Sequence, residues 1–391
     1  MSQLLQRRRL LDAAALAALV FGVAISARCG EPAGDPDCVD PVEARLLLDN
    51  MGAGVVLPTL ESFALSAAAL ETATAAYASS SSDADRMAAQ QAWIDTMDLW
   101  QRLEVMQIGP AALPARLGGL GIGEEIYSWP TTSRCRIDQE IVAEDYADPA
   151  TFAAELVNVR GLDAMEYLLF YDGATNACTA VSPINADGTW DALGVDEVTL
   201  RRAAYAQTTA QLVRAQADLL VAAWRPADGD FAGALSRADG APYPSLPIAL
   251  NAVSDAMFYL ELATKDVKLA GGVEQVESAD AHRSRENALS NVRAFEEIFL
   301  GGAPGMDGYG FDDLLGTLGE GELATRMAAN LTAAIAAIEA IGEPLADALV
   351  NNPAAVTAAR DAVAEVTADL KGRFMTVLCL QIPAEAGGDT D

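Results

Sequence analysis

Apolar residues recur along this chain at the three- and four-residue spacing of a helix face, and no alternating strand signal appears. The breaks between these runs fall at glycine, proline, serine and aspartate. A first helical run begins near Pro41, is interrupted at Gly52, Gly54 and Pro58, and resumes from Leu60 to Tyr77. Ser79 to Ser82 ends it, and Asp83 or Asp85 is placed to cap a second helix through Trp93, Trp100 and Glu104. Residues 109–132 read as an irregular connection. A helix follows from about Asp148, with Pro149 in its first turn, and a long amphipathic helix spans about Asp196 to Trp224. The turn Arg225-Pro226-Ala227-Asp228-Gly229-Asp230 is the expected domain boundary. Further helices are predicted at about 246–270, 274–300, 320–342 and 354–380. The expected architecture is therefore all-α, with two tandem four-helix-bundle-like domains at 29–225 and 226–391 after a signal peptide at 1–28.

On a helical wheel the run from Asp148 places Phe152, Leu156, Val159, Asp163, Glu166 and Phe170 within about 40° of one line. Two acids thus sit in an apolar stripe. Trp93, Met97, Trp100 and Glu104 repeat the arrangement on the preceding helix. Buried carboxylates need donors, cations or protons. Convergence of Glu104, Asp163 and Glu166 would make an all-oxygen site suited to a hard cation such as iron or calcium. Neutralisation by arginines, Arg160 foremost and then Arg134, Arg136, Arg201 and Arg202, would instead make a core salt-bridge network. Tyr167 is a candidate hydrogen-bond donor to either arrangement, and Trp100 is a candidate lining residue. Glu277, Ser284 and Asn291, spaced seven apart, suggest a polar seam facing the first half, and Lys265 and Lys268 with Asp266 read as a charged helix end.

Composition narrows the partners. A formal net charge of -31 repels polyanions, so nucleic acid is excluded as a partner of the globular part. Arg7 to Arg9 followed by the apolar run Ala13 to Ile25 reads as an export signal, too short to span a membrane comfortably. Cleavage near Ala27 would start the mature chain close to Cys29, a candidate for lipid attachment and the expected membrane link. No later segment reads as a membrane span. Five cysteines leave one over after two disulfides, consistent with export; the expected pairs are Cys135–Cys178 and Cys38–Cys379. His282 is the one histidine, so neither a His-Glu-x-x-His helix nor a Ser/His/Asp arrangement is readable.

The segment Arg160-Gly161-Leu162-Asp163-Ala164-Met165-Glu166-Tyr167-Leu168-Leu169-Phe170 resembles the Gly-x-His-x-x-Glu signature of the imelysin-like family, which takes in the insulin-cleaving membrane protease and iron-regulated protein A-like proteins. Asp163 stands at the histidine position. Further blocks follow in the family's order: Ala92-Trp93 with Trp100, Glu104 and Gly109-Pro110; Trp129-Pro130 with Ile137-Asp138; and Lys265 to Leu269 with Glu277-Ser278 and Ser284. The resemblance implies a two-domain helical protein of the periplasm or outer membrane, with a site where the bundles meet. It also implies links to iron uptake in some members and a peptidase description for the founding ones. The signature transfers to Gly161 and Glu166, and the aspartate counts against metallopeptidase chemistry, since zinc hydrolases draw on histidine. A cell-envelope binding protein for iron or another hard cation is expected first, a structural or partner-binding envelope protein next, a metallopeptidase last.

Overall fold

Local capping chemistry sets the helix boundaries in the computed structural model, which describes residues 38–303, 305–306 and 308–387. The expected signal peptide and Cys29 lie outside the described residues. Every regular element among those described is helical. Pro41–Asp49 starts at Asp40, whose carboxylate accepts from the Val42 N–H, and it does not stop at Gly52. A π-helical turn, Asn50–Val56, carries the backbone into Leu57–Ser80. The wider ladder absorbs the glycines, and Pro58 falls at the second position of the new segment, where a missing N–H costs little. The next helix, Asp83–Glu104, is capped by Ser82 and not by either expected aspartate: Ser82 Oγ accepts from the Asp85 N–H at 3.1 Å, and the acids occupy the first turn.

The largest departure concerns the segment from Asp148. It forms a short helix, Pro149–Phe152, and a 3-10 turn, Val157–Val159, before the signature helix Leu162–Phe170 begins at Gly161. The wheel drawn through Phe152, Leu156 and Val159 therefore does not apply, and Leu156 is exposed. Asp163 and Glu166 still share a face, because three residues separate them inside the signature helix. The long helix spans Thr189–Trp224 with a kink at Gly194.

Packing sorts the helices into two groups. Leu57–Ser80 lies against both Thr189–Trp224 and Asp83–Glu104, and the signature helix packs on the latter two. In the second half, Ser284–Leu300, Gly321–Glu339 and Pro353–Asp369 pack together with the π-helical Leu260–Lys268. Asp83–Glu104 against Ser284–Leu300 joins the groups. Pro41–Asp49 packs with second-half elements, against Phe231–Arg237, Leu246–Met257 and Phe311–Thr317. Cys38 is bonded to Cys379 and Cys135 to Cys178, pairings in keeping with an exported protein. Contrary to the sequence reading, Pro41–Ser80 and Leu246–Lys268 are long and apolar enough to cross a membrane by composition. Both pack into the helical core, and the second carries the buried Glu261, Lys265 and Lys268.

Candidate functional site at the helical seam

The signature helix starts on a residue that only glycine suits. Gly161 has φ 93°, and a Cβ there would lie 2.7 Å from the Ile126 carbonyl oxygen and 2.9 Å from Asp163 Oδ1. This tight start puts Asp163 in the first helical turn, facing Ser128 and Thr132. Ser128 Oγ donates to Asp163 Oδ2 at 2.8 Å, and the Thr132 hydroxyl donates to the same oxygen. Burial still dominates and pushes the Asp163 carboxyl up to about 6, against the pull of both hydroxyls. One turn on, Glu166 reaches a turn of the second half. Its Oε1 accepts the backbone N–H groups of Asp280 at 2.9 Å and Ala281 at 3.0 Å. Burial pushes this carboxyl up to about 8; the Asp280 charge adds to the rise, whereas the two N–H groups and Arg134 oppose it. The environment of Glu166 therefore favours its protonated form. Arg134 is itself paired with Asp280 at 2.8 Å.

Beside this helix, the seam between the groups is organised by Lys268. Its ammonium is fully buried and donates to Gln101 Oε1 at 2.5 Å, with Glu104 Oε2 and Glu277 Oε1 each at 3.0 Å. Tyr259 donates to Glu104 Oε2 at 2.5 Å; Tyr127 and Gln101 Nε2 donate to Glu277 Oε1 at 2.7 and 3.0 Å. Asn291 fixes Gln101 from the far side, donating to its backbone oxygen at 2.6 Å and to Oε1 at 3.1 Å. Burial raises Glu104 above the usual carboxylate range, opposed by Lys268 and reinforced by Glu277. The phenols of Tyr127 and Tyr259 are pushed well up by burial and by these carboxylates, so both act as donors.

The structure does not assemble Glu104, Asp163 and Glu166 into one ligand set. Among the described residues, no three histidine, cysteine, aspartate or glutamate side chains come together as metal ligands. The physical reason is that each acid already has donors: Lys268 and Tyr259 for Glu104, two hydroxyls for Asp163, two backbone N–H groups for Glu166. The arginines do not neutralise the signature acids directly either. Arg160 is buried but pairs with Glu125 and donates from Nε to the Glu155 carbonyl. Arg136 pairs with Glu140, Arg201 with Glu144 and Glu197, and Arg202 donates to the carbonyls of Tyr171 and Gly173. Tyr167 turns to Asp138, donating to its two oxygens at 3.2 and 3.1 Å, with the Arg134 guanidinium over its ring. Asp138 is itself pushed up to about 6 by burial. Trp100 is a core residue, its ring tilted against that of Phe63. His282 is exposed in the turn, with φ 55°.

Lys268, expected from the sequence as a helix-end charge, is the seam's central cation; nothing in the sequence singles out Gln101, Tyr127 or Tyr259. Lysine is rarely fully buried. The signal available was scarcity: the chain has three lysines against 56 acids, and none of the three is exposed. Glu277 precedes its helix, which begins at Ser284, so the seven-residue spacing did not place it. It nevertheless faces the first half, through Gln101 and Tyr127.

Residues 56–371 match the imelysin (peptidase M75) family model. No curated protein sequence is detectably similar to the chain. Two crystal structures share its fold. A protein described as an iron-regulated protein A precursor, from Parabacteroides distasonis ATCC 8503, superposes with a TM-score of 0.70 at 18% identity, covering 89% of this chain and 97% of that one. An imelysin-like protein from Psychrobacter arcticum 273-4 gives 0.68 at 15%, covering 90% and 99%. The chain belongs to the imelysin family.

Proposed function

We propose that this imelysin-family chain is an exported cell-envelope protein that acts by binding a partner and not by hydrolysing peptides, its two helical groups serving as bundles held in register across the seam. The carrying observation is the hydrogen bonding of the signature carboxyls, each of which is engaged by protein donors. A hydrolytic site needs an ionised base that can reach water or a metal ion. Burial raises the Glu166 carboxyl, and its Oε1 is spent on two backbone N–H groups of the opposite half. Asp163 spends Oδ2 on Ser128 and Thr132. The Glu166 bonds tie the halves to each other, and one oxygen of each acid is taken up by protein donors, Asp163 Oδ1 being buried without a hydrogen-bond partner among the described residues. The periplasm or the outer-membrane surface, with or without a lipid on Cys29, is the proposed location; the two disulfides support export.

A second reading, binding of iron or another hard cation, draws on Glu277 Oε2, which is buried and accepts no hydrogen bond from the described residues. The name of the Parabacteroides protein ties that protein to iron regulation, and its transfer here is part of this reading. Titration calorimetry of wild type with ferric, ferrous, calcium and zinc ions separates the two. The partner-binding reading predicts no stoichiometric heat from any of them. Tight one-to-one binding that Glu277→Gln abolishes would replace it with the cation reading.

A further inference from the structure

The cage around Lys268 has the composition of an ammonium site. Three oxygens of three side chains converge on the nitrogen: Gln101 Oε1, Glu104 Oε2 and Glu277 Oε1. Two aromatic faces close it, Tyr259 with its centroid 5.3 Å from Nζ and Trp129 at 5.8 Å. An ammonium has three donors and is attracted to ring faces, so this set of neighbours fits it in number and kind. The acceptors are, moreover, held by groups other than the lysine. Tyr259 fixes Glu104, Tyr127 fixes Glu277, and Asn291 fixes Gln101. The Lys268 side chain has no exposed surface, so its charge makes no contact with solvent that would account for it.

We propose that the seam is an ammonium-binding site whose occupant the chain itself supplies, with Lys268 Nζ standing in the position a free cation would need. The point at which oxygens of Glu104, Glu277 and Gln101 converge is filled by a covalently tethered positive charge. The inference concerns the occupant of the seam and stands whether or not a partner binds outside it.

The cage should accept an untethered ammonium once the tether is cut. Lys268→Ala removes three carbons and the ammonium, which n-propylammonium supplies as an untethered cation of the same length. Thermal melts of this variant in n-propylammonium chloride, 1-propanol and sodium chloride are expected to show a saturable rise in Tm with the amine alone, and wild type is expected not to respond. Lys268→Met, which fills the space without the charge, is expected to melt below wild type and to ignore the amine. An equal response to propanol, no response to the amine, or a Lys268→Met protein as stable as wild type overturns the proposal. If Lys268→Ala does not fold alone, its refolding yield with and without the amine is the readout: recovery supports the assignment and no recovery overturns it.

Discussion

Glu166 is a carboxyl whose environment favours the proton, and that gives its contribution to stability a definite sign. Its folded value, about 8, lies above its ordinary 4.5, so the folded chain binds the proton more tightly than the unfolded one. The stabilisation is complete below about 4.5 and is lost as pH rises through 8. Asp163 and Asp138, each pushed from 3.8 to about 6, act in the same direction over a lower window. Glu166→Gln keeps an acceptor for the two N–H groups and removes the titration. Denaturant unfolding between pH 5 and 8 is expected to show a shallower decline of stability in the variant than in wild type; parallel curves would show that Glu166 is ionised throughout. Tyr127 offers a second residue test. Its hydroxyl donates to Glu277 Oε1 inside the seam, and hydrogen bonds to charged groups contribute about 1.5–3 kcal/mol. Tyr127→Phe is expected to lose an amount in that range by chemical denaturation.

Elements were legible where a local signal ended them and illegible where backbone geometry changed within a run. The end of the serine tract at 82, the proline at 41 and the breaks around residue 225 all mark real boundaries, although the cap at the first is Ser82 and not the expected aspartate. The π-helical turns at Asn50–Val56 and Leu260–Lys268 do not announce themselves: Gly52 and Gly54 read as a break and Leu260–Lys268 as unbroken helix, whereas the change lies in the hydrogen-bond register. Gly161 could have been recognised as a restart of the helix, since glycine inside an apolar helical run needs a reason. Gly161→Ala forces a left-handed residue and a contact with the Ile126 carbonyl; it is expected to destabilise the fold by at least about 2 kcal/mol and to misplace Asp163. The loop after the signature helix is held by Cys135–Cys178, 43 residues apart. Removing that bridge with a double serine variant is expected to cost about 4 kcal/mol on the loop-entropy account, measured by calorimetry or denaturant unfolding.

At the scale of the whole molecule, the all-helical class and the presence of buried acids followed from the sequence. Their partners did not. Glu104 and Lys268 are 164 residues apart, and Gln101 and Asn291 are 190; periodicity describes which face of a helix is buried, not which residue of another helix meets it. Three acids with no histidine beside them suggested a shared cation; the fold instead gives Glu104 the chain's own Lys268, Asp163 two hydroxyls and Glu166 two backbone N–H groups. The seam thereby becomes a structural junction between the helical groups, with the signature helix pinned to the second half through Glu166. The central claim, that this family member binds and does not hydrolyse, is tested most directly by incubating purified wild type and Glu166→Gln with unfolded protein substrates in the presence of zinc, iron or calcium and following peptide release by mass spectrometry. No metal-dependent cleavage is expected from either protein; cleavage by wild type that chelation and Glu166→Gln both abolish would establish hydrolysis instead.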